Sequence, residues 1–202
     1  MFALSKKVAN KMFSSGYIEE ESVPVYQYGL FWLFNIIEFL LISIITGLIF
    51  NVLISNIIFF ISFMLLRGFG GGFHADTEMK CQLISLTTFT LSALALKYII
   101  SVEMLIPMLI AELFFSIFII GFSPVQFSCQ ELSAEEKDVY RKLSCGICVC
   151  VIILSVICIV LRFDKIFSGL SISIVLQGVM IILGLVVNHI KSKNPNRINL
   201  KK

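Results

Sequence analysis

The sequence predicts an all-α fold, a polytopic membrane helix bundle of about six transmembrane helices with an N-terminal interfacial amphipathic helix. Three observations carry this. Of 202 residues, 58% are hydrophobic and only 14% charged, against about 25% charged in soluble domains. The mean hydropathy is +0.97. Apolar runs of about 20 residues, the length a helix needs to cross the hydrocarbon, recur down most of the chain. A soluble fold would need alternating polar faces that these runs lack. No internal repeat is evident, and residues 1–202 read as a single integral-membrane domain.

The first 23 residues lack the apolar core and small-residue cleavage site of a secretory signal. Val8, Ala9, Met12 and Phe13 recur at helical spacing, with Lys6, Lys7, Asn10 and Lys11 on the other side. Residues 2–15 therefore read as a helix lying on the membrane surface. From Gly29 to Leu66 the chain runs 38 residues with one charge, Glu38, twice the length of one crossing. It must turn once, and Gly47, Asn51 and Asn56 are the available breakers. Spans 1 and 2 fall near 27–47 and 51–66. Four more follow near 82–100, 104–122, 143–161 and 168–190. Between spans 4 and 5, Ser133 and Glu136 have the S-x-x-E spacing of a capping box, so a short helix starts there and feeds span 5.

Six crossings put both ends on one side of the membrane. Thirteen of the 16 basic residues lie in the N-terminal segment, the loops after spans 2 and 4, and the tail. Only Lys97, Arg162 and Lys165 belong to the other side. The positive-inside rule then places both termini and the loop at 67–81 in the cytoplasm of a multi-pass cell-membrane protein. Thiols are kept reduced there. Of the six cysteines, Cys145, Cys148, Cys150 and Cys158 sit inside an apolar span, where cysteine behaves as a small hydrophobe. Glu38 and Glu112 lie near the centres of spans 1 and 4; carboxyls at that depth face the bundle interior, in structural hydrogen bonds or along a substrate path. His189 reads as interfacial.

The loop at 67–81 concentrates the polar chemistry. It holds Arg67, Gly70, Gly71, Gly72, His74, Asp76, Glu78 and Cys81. On a continuous helix His74 and Cys81 would be separated by about 10 Å along the axis, too far for an imidazole to take a thiol proton at about 3 Å. The segment must bend. Glycines that adopt positive φ cheaply supply the bend, and Asp76 or Thr77 can cap a new helix running through Cys81 into span 3. His74 as base and Cys81 as nucleophile would then form a thiol catalytic pair. Asp76 and Glu78 are candidates to orient the imidazole, and backbone N–H groups around Gly70 to Gly72 are candidate oxyanion donors. Two rival readings use the same residues otherwise: a metal-dependent membrane hydrolase with His74, Asp76, Glu78 and Cys81 as ligands, and a non-catalytic peptide exporter or channel with Glu38 and Glu112 on its path.

The run Arg67-x3-Gly71-Gly72-x-His74-x6-Cys81 resembles the signature of the accessory gene regulator B (AgrB) family of membrane cysteine endopeptidases. The likeness extends to the basic amphipathic N-terminus and to a loop with Pro124 followed by Glu136, Lys137, Arg141 and Ser144. The resemblance implies that His74 and Cys81 are catalytic, that Arg67 and Gly72 support function, and that no cofactor is required. It implies a short propeptide substrate with an amphipathic leader and an acidic C-terminal tail, whose tail is expelled as Cys81 forms a thioester. An internal substrate nucleophile then closes the ring of a quorum-sensing autoinducing peptide. Arg67 and the basic cytoplasmic side would hold the acidic tail, or Arg67 would anchor at the interface. The resemblance also suggests a homodimer in the lipid bilayer and gives no role to nucleic acid. The phenylalanines in GFGGGF and the residues after His74 depart from the family pattern, so substrate choice does not carry over.

Overall fold

The computed structural model describes residues 1–73, 78–99, 104–125 and 133–193. Among these residues, seven long helices follow one another: α1 (Phe2–Ser14), α2 (Val23–Ile49), α3 (Leu53–Gly70), α4 (Glu78–Ile99), α5 (Leu105–Phe122), α6 (Ala134–Val160) and α7 (Asp164–Lys193). A single 3-10 turn, Glu20–Ser22, precedes α2. Helices α2 to α7 are each long and apolar enough to cross a membrane. Much of their apolar surface points outward: Ile45 is 54% exposed, Ile110 63% and Val160 75%. Only hydrocarbon can cover such a surface, so this is a multi-pass membrane protein.

The amphipathic α1 packs on α2, burying Ser5 and Ala9 and setting Phe2 edge-on to Phe31 at 6.2 Å. Lys6, Lys7 and Lys11 stay exposed. The chain turns between α2 and α3 at Asn51, whose φ is +60°. Gly47 and Asn56, expected as breakers, are both helical. Gly47 leaves room for α3, because a Cβ there would lie 2.9 Å from the Leu53 Cα. Asn56 staples the pair: its amide donates to Ser43 O at 2.7 Å and Thr46 Oγ1 at 3.0 Å, while Ser43 Oγ donates to Asn56 O at 3.0 Å. An amide in hydrocarbon must find partners, and here it finds them across the hairpin.

Helix α7 is the centre of the bundle, packing most extensively on α3 and α5 and also on α6. One apolar cluster joins α5, α6 and α7 around Ile119, Cys148, Phe167 and Ile174. A second, rich in phenylalanine, joins α2, α3 and α4: Phe59, Phe60 and Phe63 surround Phe89, with Phe39 stacked on its other side at 5.4 Å. Helix α4 packs chiefly on α2 and only sparsely on α3 and α7.

Two helix boundaries differ from the hydropathy reading. The expected 67–81 loop is shorter at its start, because α3 continues through Arg67 to Gly70; at its end α4 already contains Glu78 to Cys81, as expected of a new helix running through Cys81 into span 3. Hydropathy falls at Arg67, but the backbone does not need a lipid-facing side chain to stay helical once tertiary contacts satisfy it. Helix α6 starts at Ala134 and runs unbroken into the membrane, capped by the reciprocal Ser133–Glu136 bonds at 2.9 and 3.2 Å. The expected capping box is present.

Glu112 is fully buried on α5. The Ser155 and Ser171 hydroxyls flank it, yet neither carboxyl oxygen makes a well-formed hydrogen bond among the described residues; Ser171 Oγ donates to Met108 O instead. Glu38 is half-buried and meets Gln82 Nε2 of α4 at 3.5 Å, at the outer limit of a bond. The α6 cysteines are free thiols, with Cys148 and Cys158 in the core.

Candidate functional site

At the end of α3 the chain makes a tight turn inside the bundle. Gly71 has φ +66° and ψ −143°, and Gly72 has φ +121°. The first pair lies in a region essentially closed to residues with a Cβ. The turn runs beside Val125 as an isolated parallel bridge: Val125 N–H donates to Gly70 O at 3.1 Å, and Gly72 N–H donates to Val125 O at 3.2 Å. A Cβ on Gly71 would strike the Val125 carbonyl oxygen, and one on Gly72 would lie 2.8 Å from Arg67 Nη1. These two glycines are required for both conformation and close approach.

Most polar backbone groups of this turn are hydrogen-bonded within the bundle. Gly71 N–H donates to Arg67 O at 3.1 Å and Phe73 N–H to Met180 O of α7 at 3.0 Å. Arg67 turns back over the turn, with Nη1 donating to Gly71 O at 3.3 Å and Nη2 to Phe73 O. Gln177 of α7, fully buried, donates from Nε2 to Gly71 O at 3.0 Å. Ser123 Oγ donates to Gly70 O at 3.2 Å and lies 2.7 Å from Ser144 Oγ of α6. Gly184 of α7 abuts the turn so closely that a Cβ would sit 3.1 Å from the Gly72 carbonyl carbon.

This corrects one expectation and adds to another. The N–H groups of Gly71, Gly72 and Phe73 are already committed to protein carbonyls, so they are not free oxyanion donors. Arg67 uses two of its donors on the turn's own carbonyls and is half-buried; it secures the turn, a role its expected place as tail receptor or interfacial anchor does not include.

Cys81 lies in the first described turn of α4, half-buried and free. It shares a cavity of about 30 Å³ with Phe63, Arg67, Phe73, Ile84, Ser85, Thr88, Phe89 and Met180. Arg67 and Cys81 line one cavity. The structure thus brings together Arg67, the glycine turn and Cys81. His74, Asp76 and Thr77 lie outside the described residues, as does the side chain of Glu78. The site also contains residues that the sequence reading passed over: Gln177, Met180, Ser123 and Val125. Gln177 was detectable as a lone amide in the long apolar stretch of α7, where polar groups mark internal contacts.

Fold and site define a class: a six-span membrane bundle whose interior grips a glycine turn next to a half-buried thiol. The profile of the family described as AgrB, accessory gene regulator B, matches residues 5–181, and the chain belongs to that family. Curated relatives described as AgrB-like are similar over shorter stretches. One from Clostridium perfringens strain 13 is 29% identical over 83 residues, 41% of this chain and 39% of the relative. One from Lactiplantibacillus plantarum is 27% identical over 89 residues, 44% of each chain. The similarity thus spans under half the length of these relatives. No solved structure matches.

Proposed function

We propose that the protein is a membrane-embedded cysteine endopeptidase that removes the C-terminal tail of a short signal-peptide precursor in quorum sensing. Cys81 Sγ attacks the scissile carbonyl carbon while His74 takes the thiol proton. Collapse of the adduct breaks the C–N bond, and His74 returns the proton to the departing amine of the tail. The thioester left on Cys81 retains its acyl activation. A thiol or hydroxyl within the substrate attacks it, passes its proton through His74 to the Cys81 sulfur, and closes a thiolactone or lactone ring. The substrate carries an amphipathic leader that lies on the bilayer and an acidic tail. Both termini and the site face the cytoplasm, supported by the basic residues gathered at that end.

The observation that carries this reading is that Phe73, the residue directly before His74, lines the same cavity as Cys81. His74 follows Phe73 directly in the chain, and that adjacency is what supports pairing it with Cys81. The apolar phenylalanines of that wall also suit an acyl-enzyme that must be shielded from water. The test is mass spectrometry of the protein in lipid mixed with a candidate precursor encoded beside it. Released tail and an acyl adduct on Cys81 are expected, with both absent in Cys81→Ala and His74→Ala. Cleavage that persists in Cys81→Ser and stops with chelator would point to a metal hydrolase; transport of intact peptide with no cleavage would point to an exporter.

A further inference from the structure

A second, larger cleft of about 650 Å³ opens at the end of the bundle where α5 stops and α6 starts. Lys137 and Arg141 line it, one helical turn apart on α6, so both cations project along the same face. Asp138 is the cleft's carboxylate, and it is engaged by Lys142 at 2.7 Å. Neither Lys137 nor Arg141 has an acidic partner among the described residues. Among the described residues, the cleft therefore presents two positive charges with no acidic side chain paired to them.

Its depth in the bilayer points to the ligand. Three helices change from apolar to polar at this one level: α5 ends at Phe122, the apolar run of α6 begins at Leu143, and α7 passes from Val187 to Asn188. At 1.5 Å per residue, Arg141 stands about 3 Å and Lys137 about 9 Å beyond Leu143. The headgroup layer spans roughly 5–8 Å outside the hydrocarbon. The membrane-side wall is apolar, formed by half-buried Leu185 and by Phe122, which is 53% exposed. We propose that this cleft binds an anionic phospholipid, with Lys137 and Arg141 on its phosphate and Phe122 and Leu185 against the start of its acyl chains. Basic pockets between transmembrane helices at the cytoplasmic face hold anionic headgroups by this combination. A soluble acidic peptide would satisfy the cations and gain nothing from the apolar wall.

The test is native mass spectrometry of the full chain in neutral detergent, titrated with phosphatidylglycerol or with phosphatidylcholine of identical acyl chains. One phosphatidylglycerol should be retained in preference to phosphatidylcholine. The Lys137→Gln/Arg141→Gln variant should weaken that retention by on the order of 30-fold. A charge-matched Arg162→Gln/Lys165→Gln variant at the other end of α6 should not. These side chains are exposed, and an unchanged size-exclusion profile checks the fold. Equal retention of the two lipids, or full retention by the Lys137/Arg141 variant, overturns the proposal. So does inorganic phosphate competing as tightly as the lipid, which makes this a free-anion site. A glutamate-rich peptide binding through Lys137 and Arg141 while phosphatidylglycerol does not would reassign the cleft to peptide.

Discussion

Replacing Gly71 by alanine tests whether the turn is a rigid fixture. The residue sits at φ +66°, ψ −143°, where a side chain costs about 1–3 kcal/mol. The added Cβ also meets the Val125 carbonyl oxygen, a backbone atom that cannot rotate aside, and overpacking of this kind costs about 1–3 kcal/mol more. If the turn yields to relieve both terms, it breaks the two backbone bonds to Val125, at about 1 kcal/mol each. Either route removes at least about 2 kcal/mol, which shifts the turn's native population by roughly 30-fold. Gly68, two residues before Gly70 on α3, is the internal control: no atom lies within 4 Å of its added Cβ, and alanine there gains about 0.5–1 kcal/mol in helix propensity. Thermal unfolding in detergent and tail release in liposomes are the assays. Gly71→Ala should melt lower and release tail at least tenfold more slowly, while Gly68→Ala matches the parent or melts higher. A Gly71→Ala protein with parental melting and release within twofold would refute the rigid-turn argument.

Substitutions at three further positions follow from the same geometry. Gln177→Leu removes the α7 donor to Gly71 O and should cost about 1–2 kcal/mol; tail release should fall about tenfold, with Gln177→Asn too short to restore it, as a kcat loss at unchanged precursor binding would confirm. Asn56→Leu deletes both amide bonds across the α2–α3 hairpin, worth about 0.6 kcal/mol apiece in membranes, and should lower the melting temperature while leaving cleavage intact. Glu112→Gln keeps the volume and the hydroxyl neighbours of a buried side chain, so expression, melting and cleavage should stay near parental levels. Glu112→Lys should fail to accumulate in the membrane, because an unpaired cation at that depth costs about 2.5–3.5 kcal/mol or more.

The helix count was legible because hydropathy reports directly on contact with lipid, and six apolar stretches each reach the required length. Local chemistry was legible too: Ser133 and Glu136 satisfy each other within one turn, and Asn51 takes the positive φ that a three-residue link between α2 and α3 needs. Contacts between distant segments were not. Gln177 reaches Gly71 from α7, Ser123 reaches Gly70, and nothing local in either segment specifies which residues the bundle will juxtapose. The same blindness explains Asn56, which reads as a breaker by residue type but forms its hydrogen bonds with a neighbouring helix. Of the three glycines suspected of positive φ, Gly71 and Gly72 take it while Gly70 stays helical at the end of α3, and their second role, admitting Val125 and α7 to within contact of bare backbone, depends on partners the local sequence does not contain.

The distribution of packing assigns different duties to the two sides of the thiol cavity. On one side the Gly70–Phe73 turn is pinned by α3, α7 and the Ser123–Val125 segment. On the other, α4 carries Cys81 and its backbone approaches α3 and α7 at few points, its hold on α3 coming from Phe89 among Phe59, Phe60 and Phe63. The cavity of about 30 Å³ has space for one or two waters, whereas sites that enclose a ligand run to about 300–1,000 Å³. If a peptide reaches Cys81, the cavity widens by moving the start of α4, ahead of its anchored Phe89, since the turn cannot shift without breaking several hydrogen bonds together. Local opening follows the weakest contacts, so hydrogen exchange should find the Gly72 and Phe73 amides protected to the level of mid-α7, and the amides around Cys81 exchanging faster and slowing when precursor binds. The reverse order, with an exchanging turn and a fully protected α4, would mean that the turn is the moving part and the glycines act as a hinge after all.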